Sequence, residues 1–435
     1  MRCKIFTSLI ATVLLASSAC YEADRANPLD AGTFDLFVPK IGRPVGGEEM
    51  FPGASQEIRW RPAAKIVDSS VKILLICAGD TTVITDEAQN TGTFAWTVPD
   101  TPSSSCRIRI IGIGGGSESP GTFRIRKHPI ENRIDLASWE AGLEGNGITE
   151  PSALRDEIVF TATLGGNTDI WKLDRSNGIG VPDRITFGAG YDGQAVWLKP
   201  NGKAIVYTSE DSSGQRDVWI RATEGNFGPQ TTRISVGGGE QPSWRNMERS
   251  DSFDTPAIAY SRPSLGDLSN LLTVELSFHM ASLPSFGLPI SVTPTSFFLP
   301  LHTGLPEALI NRIFWFSTAA ENRLLYGSRD PSKIYNVSFS GEAYQTATNS
   351  PVGLTPGLLP IHPSVSPDGE FMAFASRDDL WITPKSGVAA WRLTIGSDID
   401  AFPDWASDEE IVFQRKSSIG APWQLWTVER PTDVP

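Results

Sequence analysis

The residue types that catalyse reactions or bind metals are scarce in this sequence. No Gly-x-Ser-x-Gly motif marks a serine nucleophile. Gly114-Gly115-Gly116 has no predicted helix after it to hold a phosphate, so it predicts a hairpin turn. No two histidines stand at the spacing of zinc ligands among His128, His279, His302 and His362. We therefore expect no cofactor and no metal site.

One set of polar residues lies just before short hydrophobic segments that recur along the chain. It consists of carboxylates and amides, namely Glu150, Asp192, Gln194, Glu240, Gln241 and Asp400. If those segments surround one axis, the carboxylates form a partial acidic ring that receives a cation or a basic peptide segment. Alternatively, each carboxylate caps its own turn and faces water. The choice depends on the elements that position these residues.

The hydrophobic segments belong to a repeat. Its core is a triplet of two apolar residues followed by an aromatic one, found at Ile158–Phe160, Ile205–Tyr207, Ile258–Tyr260, Leu324–Tyr326, Met372–Phe374 and Ile411–Phe413. Most of the steps lie in or near the range of roughly 40–50 residues that is typical of a propeller blade of four strands. The triplets therefore predict six four-stranded units.

Further landmarks keep the same order around each triplet. An aliphatic-aromatic pair follows it, as in Ile170-Trp171, Val218-Trp219, Leu380-Trp381 and Leu425-Trp426. A short segment ending in a hydroxyl residue comes next, as in Arg184–Thr186, Arg233–Ser235 and Arg392–Thr394. In the most regular copy, Ser366-Pro367-Asp368-Gly369 predicts a tight turn, because Pro presets φ and Gly accepts a positive φ.

This pattern, clearest over Pro363–Trp381, resembles the repeat of the TolB-type β-propeller. The resemblance implies a six-bladed β-propeller over residues 129–435, with the polar set described above at the mouth of its central channel. The sixth copy lacks a final strand, and Arg133–Leu136 matches the missing piece. We therefore predict that a strand near 133–136 closes the ring and removes its exposed edges.

Residues 34–128 contain short alternating segments without a helical period. Examples are Glu57–Trp60, Val71–Cys77, Thr93–Val98 and Cys106–Ile110, and together they predict a β-sandwich. The stretches Gly46–Glu48, Gly53–Trp60, Val71–Leu75 and Asn90–Pro99 resemble the Ig-like domain of yeast cell-wall Ser/Thr-rich, GPI-anchored proteins. That resemblance implies an Ig-like fold in a surface protein, with no activity. The predicted chain is all-β: an N-terminal Ig-like β-sandwich followed by a six-bladed β-propeller.

The first twenty residues predict export. Arg2 and Lys4 precede the apolar run Ile5–Leu15, which is too short to span a bilayer. The small residues that end at Cys20 resemble the lipobox of bacterial lipoproteins, which implies a signal peptide over 1–20, lipidation of Cys20 and a tether over 21–33. The alternative is cleavage after Ala19 without a lipid. The residue after the cysteine is Tyr21, whereas an Asp at that position commonly retains lipoproteins at the inner membrane. An anchored protein is therefore expected at the outer membrane.

Of the four cysteines, Cys3 lies in the predicted signal peptide and Cys20 is the predicted lipid site, which leaves Cys77 and Cys106. An even pair in an exported protein predicts a disulfide, although two core cysteines also pack as small hydrophobic side chains.

The charge balance limits the classes of partner that the protein can bind. The net charge of -13 and the lack of a basic cluster after the N-terminus argue against nucleic-acid binding. We expect a non-enzymatic protein of the cell envelope, attached by its lipid, that binds an envelope protein or a glycan. The alternative is a carbohydrate-active hydrolase or lyase with its site at the channel mouth.

Overall fold

The structure is a computed structural model. It describes residues 38–62, 70–127, 129–178, 180–199, 202–223, 231–235, 237–247, 257–263, 274–282, 291–302, 310–317, 322–329, 332–340, 346–354, 357–385 and 390–431. The predicted signal peptide, Cys20 and the tether over 21–33 lie outside these residues. The chain divides into two compact units, with the boundary between His128 and Pro129. The described part contains no helix long and apolar enough to cross a bilayer.

The first unit consists of two sheets. Its strands are β1 (Lys40–Arg43), β2 (Glu49–Met50), β3 (Ser55–Arg61), β4 (Ser70–Cys77), β5 (Asp80–Gln89), β6 (Thr93–Thr97), β7 (Ser103–Gly112), β8 (Gly115–Glu118) and β9 (Phe123–Ile125). One sheet has the order β1-β3-β6, and the other has the order β2-β9-β7-β4-β5, with β8 paired to β7. Residues from both sheets share one hydrophobic core.

Alternation along the strands explains how this core forms. Ile58 and Trp60 point inward from β3, and Cys106 and Ile108 point inward from β7, since successive side chains of a strand face opposite sides. Cys106 is the direct cross-strand partner of Cys77 on β4. The two form a disulfide with their Cα atoms 4.1 Å apart, so the bridge joins neighbouring strands of a single sheet.

The second unit is built of antiparallel four-stranded groups. It begins with β10 (Glu131–Arg133) and a 3-10 helix (Ala137–Gly142). The groups that follow are β11 (Leu143–Leu154), β12 (Glu157–Leu164), β13 (Asn167–Asp174) and β14 (Asp183–Arg184); β15 (Asp192–Trp197), β16 (Ala204–Glu210), β17 (Arg216–Ala222) and β18 (Thr231–Arg233); β19 (Glu240–Met247), β20 (Ala257–Pro263), β21 (Val274–Ser282) and β22 (Ser291–His302).

The remaining strands continue in the same way. They are β23 (Ile310–Ser317), β24 (Asn322–Arg329), β25 (Ser332–Ser340) and β26 (Thr346–Pro351); β27 (Ile361–Val365), β28 (Phe371–Ser376), β29 (Asp379–Pro384) and β30 (Trp391–Arg392); β31 (Ile399–Trp405), β32 (Glu410–Lys416) and β33 (Gln424–Glu429). Within each group the strands pair in chain order.

The first strands of the groups contact one another in sequence. β11 contacts β15, β15 contacts β19, β19 pairs in parallel with β23, β23 contacts β27, and β27 contacts β31. β31 in turn contacts β11, so the row returns to its start. A cyclic row of first strands, each leading outward into an antiparallel sheet, is a propeller-like arrangement.

The last group is completed from the other end of the unit. β10 pairs antiparallel with β33, with Glu131 opposite Val428 and Arg133 opposite Trp426. The ladder lies two residues earlier than the predicted strand near 133–136. The Ile134 N–H still donates to the carbonyl of Leu425 at 3.0 Å, and Ile134 and Leu136 belong to a hydrophobic core that they share with residues of β11.

Local turn chemistry sets the hairpins. Between β27 and β28, the Gly369 N–H donates to the carbonyl of Ser366 at 2.9 Å, and Gly369 takes a φ of 75°. The Asp368 carboxylate accepts from the Glu370 N–H at 3.0 Å. Ser-Pro-Asp-Gly therefore forms a tight turn, as its residue types predict.

An ion pair ties the fourth strand to the third in three groups. An aspartate among the first three residues of the third strand binds an arginine of the fourth: Asp169 with Arg184, Asp217 with Arg233, and Asp379 with Arg392. Because the aspartates are buried, each pair satisfies a charge that would otherwise be costly to bury.

Candidate functional site

Each first strand of the second unit carries a register irregularity. In five strands the irregularity holds a residue with positive φ, namely Glu150 (53°), Gln194 (56°), Gln241 (55°), His362 (53°) and Phe402 (52°). A positive φ is uncommon outside glycine. Its recurrence at one position shows a built feature, since a bulge redirects the side chain that it carries.

In the remaining first strand, β23, the equivalent residue is Arg312. Trp315 of β23 pairs with Leu324, as Trp197 of β15 pairs with Ile205. Arg312 precedes Trp315 by three positions, as Gln194 precedes Trp197. We call these six residues the mouth ring: Glu150, Gln194, Gln241, Arg312, His362 and Phe402.

Five members of the mouth ring line one cavity, which we call the central pocket. They are Glu150, Gln194, Gln241, Arg312 and Phe402, and the wall between them consists of Pro151, Ala195, Val196 and Pro242. Polar groups from four neighbouring strands therefore converge beside an apolar wall. Such a combination is the usual make-up of a small-molecule site.

A relay of hydrogen bonds holds one side of the mouth ring. The Gln194 N–H donates to Glu150 Oε2 at 3.2 Å, and the Gln241 N–H donates to Gln194 Oε1 at 2.9 Å. The Glu150 N–H donates to Gln414 Oε1 at 2.6 Å. In each of these bonds a side-chain oxygen accepts from a backbone N–H of a neighbouring strand. Because a backbone N–H can only donate, the bonds fix the orientation of the Gln194 and Gln414 amides.

Glu150 is the acidic member of the pocket. Burial raises the pKa of its carboxyl group, and hydrogen bonds from the Tyr191 hydroxyl, the Gln194 N–H and the Thr161 hydroxyl, with the charge of Arg312, oppose that rise. All three donors bind Oε2, at 3.2, 3.2 and 3.4 Å. Oε1 accepts no hydrogen bond from the part of the chain that the structure describes.

The other side of the mouth ring is aromatic and cationic. The His362 and Phe402 rings stack with centroids 3.7 Å apart and planes inclined by 23°. Arg312 is buried, and its Nη1 donates to the carbonyl of Pro403 at 2.6 Å. Burial lowers the pKa of this guanidinium, while the charges of Asp404 and Glu150 act in the opposite direction.

A buried carboxylate joins the strands next to the pocket. Asp404 accepts hydrogen bonds from Ser152 Oγ (3.0 Å), the Ala153 N–H (2.8 Å), Lys199 Nζ (3.0 Å) and Ser364 Oγ (2.8 Å), and Arg312 Nη2 lies 3.4 Å away. Burial alone would raise the pKa of Asp404, but the charges of Lys199 and Arg312 outweigh it and lower the pKa. Asp404 is therefore ionised and links four other first-strand or turn segments.

The predicted polar set divides in two. Glu150, Gln194 and Gln241 come together at the central pocket. The other three face their own neighbours: Asp192 is buried and bonds Ser209 and Thr186, Glu240 pairs with Arg216 at 3.2 Å, and Asp400 binds Arg415 at 2.6 and 2.8 Å. The pocket thus presents one carboxylate and two amides rather than a ring of acids.

Arg312, Phe402 and the Asp404–Lys199 pair are not part of the predicted set. The signal that finds Arg312 and Phe402 is the position three residues before a buried tryptophan, which Trp315 and Trp405 share with Trp197 and Trp244. No group of three or more histidine, cysteine, aspartate or glutamate side chains suited to a metal occurs among the described residues.

Comparisons with known proteins give the following result. No protein-family model matches the sequence, and no curated protein is significantly similar to it. Solved structures resemble it at low identity. An auxiliary nutrient binding protein from Bacteroides thetaiotaomicron VPI-5482 is 10% identical with a TM-score of 0.44, covering 90% of this chain and 97% of its own.

Two further solved structures show likenesses of the same order. A putative TolB from Agrobacterium tumefaciens is 10% identical with a TM-score of 0.39, covering 83% of this chain and 99% of its own. An oligogalacturonate lyase in complex with manganese is 13% identical with a TM-score of 0.34, covering 65% and 89%. At these values the likenesses bear on neither the activity nor the ligand of this chain.

Proposed function

We propose that this protein is an exported, lipid-anchored, non-enzymatic binding protein of the cell envelope. Its second unit is a six-bladed β-propeller of the TolB type, closed by β10, and its first unit is an Ig-like module. The propeller binds an envelope protein or a glycan at the central pocket. Lipidation of Cys20 and residence at the outer membrane are parts of the same proposal.

One observation carries this proposal. The central pocket presents hydrogen-bonding edges that the protein itself leaves open, and the relay holds the side chains of Glu150 and Gln194 in place. Within the described residues, the side-chain amide of Gln241 makes no hydrogen bond, and Gln194 uses only its Oε1. Glu150 likewise uses only Oε2. Open edges on preorganised groups favour binding, since little side-chain freedom is lost when a ligand arrives.

The chemistry of the pocket favours binding over catalysis. A glycosidase commonly needs two carboxyl groups roughly 5–9 Å apart. Among the described residues that line the pocket, Glu150 carries the single carboxylate. The neighbouring hydroxyl of Tyr191 stays protonated and does not supply a phenolate base, because burial and the Glu150 charge keep its pKa well above the usual range. A carbohydrate-active hydrolase or lyase remains the alternative that a turnover assay on envelope polysaccharides would detect.

Affinity capture from detergent-solubilised envelope tests the function. The full-length protein serves as bait, beside the double variant Gln194→Leu/Gln241→Leu and the matched control Gln56→Leu, which changes an exposed residue of β3. We expect the wild type and the control to retain the same component and the double variant to lose it. Equal retention by all three, with equal melting temperatures, would place binding elsewhere and contradict the proposal.

A further inference from the structure

We infer that the central pocket selects a neutral sugar residue of an uncharged glycan. This inference rests on the proposed function and names the chemistry of its ligand. It follows from three features of the pocket: its charge balance, its hydrogen-bonding edges, and the backbone groups that the relay already occupies.

The charges at the pocket cancel. Glu150 and Arg312 belong to the mouth ring, and Asp404 and Lys199 lie directly beside Arg312. Two carboxylates therefore face two cations, and Asp404 already contacts both of the cations. The charges at and beside the pocket sum to zero, so a charged ligand group entering this partly desolvated site would gain no net attraction. Burying such a group without a partner is costly, so a neutral ligand is favoured.

The open edges match hydroxyl groups. Gln241 presents a carbonyl oxygen and an NH2 group, Gln194 presents an NH2 group, and Glu150 presents Oε1. Acceptors and donors thus lie side by side, and a hydroxyl is the group that both donates and accepts. Planar carboxylate and amide groups can bind two adjacent hydroxyls. Phe402, Pro151 and Pro242 supply an apolar wall for the C–H face of the ring.

The relay argues against a peptide that adds as a β-strand at the same place. A peptide that adds to a strand edge binds through the backbone N–H and C=O groups of that edge. Here the N–H groups of Glu150, Gln194 and Gln241 already donate to Gln414, Glu150 and Gln194 respectively. A peptide strand would have to break these bonds, whereas a sugar uses the side-chain edges that remain.

Calorimetric titration of the full-length protein tests the inference. The probes are neutral pentasaccharides of glucose and mannose, a pentagalacturonate, a glucosamine pentamer and an uncharged polar pentapeptide. We expect a neutral pentasaccharide to bind at least tenfold more tightly than the anionic, cationic and peptide probes. Gln241→Leu should weaken that binding at least tenfold, which corresponds to about 1.4 kcal/mol. Gln56→Leu should leave it unchanged, and both variants should keep the wild-type melting temperature.

The outcomes separate the inference from the proposed function. Equal or tighter binding of a charged probe or the peptide would overturn the inference. So would neutral binding that ignores Gln241→Leu. If no sugar binds while envelope capture still requires the glutamines, the inference fails and the proposed function stands. If capture also ignores the glutamines, both fail.

Discussion

Lys199 Nζ donates to Asp404 Oδ2 at 3.0 Å, although the two residues lie 205 positions apart in the chain. The ammonium also donates to the carbonyl of Trp405 at 2.8 Å. Both side chains are almost fully buried. The pair therefore ties the turn after β15 to the first strand of the last group, past the intervening strand β11.

Asp404→Asn should destabilise the second unit more than Lys199→Met does. Removing the carboxylate leaves both Lys199 and Arg312 buried without their shared partner, which costs about 3–5 kcal/mol. Removing the ammonium leaves Asp404 still beside Arg312, so a smaller loss is expected. Urea denaturation of both variants measures the difference, with the exposed Asp156→Asn as control. A larger loss for Lys199→Met would contradict this account.

Arg415 should be needed to hold the closing strand. Its guanidinium binds Asp400 at 2.6 and 2.8 Å and Glu131 of β10 at 2.5 Å, and these groups raise its pKa against the effect of burial. Arg415→Met leaves the buried Asp400 without this partner and removes the ion pair to Glu131 of β10, for an expected loss of about 3–5 kcal/mol.

Thermal unfolding compares Arg415→Met with the exposed Arg377→Met and with a deletion of residues 130–138. We expect the deletion to lower the midpoint at least as much as Arg415→Met, because an open edge replaces the closed ring. An unchanged midpoint for the deletion would show that β10 does not close the unit.

The Asp379 carboxyl should make stability fall as the pH rises from 4 to 6. Burial raises its pKa from 3.8 to about 6, with Asp400 and Asp378 acting in the same direction and Arg392 opposing them. Between those values the folded protein binds more protons than the unfolded chain, so this contribution is lost as the pH increases. The stability difference between wild type and Asp379→Asn should change by roughly 2 kcal/mol over this range. A constant difference would refute the assignment.

Cys20 should carry the membrane anchor. Labelling cells with a radioactive fatty acid should mark the wild-type protein and leave Cys20→Ser unmarked, because a lipoprotein is acylated at that cysteine. Fractionation should then find the wild type with the outer membrane and the variant in a soluble fraction. Label on Cys20→Ser would place the lipid elsewhere, and an unlabelled wild type would indicate simple cleavage after Ala19.

The repeat pattern predicts the units of the fold because each unit is a local supersecondary structure. The triplets mark the second strands, and the polar residues before the first strands include Glu150, Gln194 and Gln241. Arg312 escapes this pattern because Ile313 stands where Pro follows the mouth-ring residue in four of the other strands. Only the pairing of Trp315 with Leu324 establishes its register.

Asp404 shows a different limit of sequence reasoning. In the sequence it stands in Pro403-Asp404-Trp405, next to a residue of the apolar core, and no local pattern singles it out. Its importance comes from Lys199, Ser152 and Ser364, which lie on distant segments and meet only after the first strands surround one axis. No local periodicity encodes a contact of that range.

Hydrogen–deuterium exchange on the complex with the captured envelope component tests the central claim most directly. We expect new protection in the segments 149–153, 192–197 and 240–244, which carry the open edges of the central pocket. The outer strands β14, β18 and β30 should show no change. Protection confined to those outer strands or to the first unit would contradict the claim that the mouth ring is the binding site.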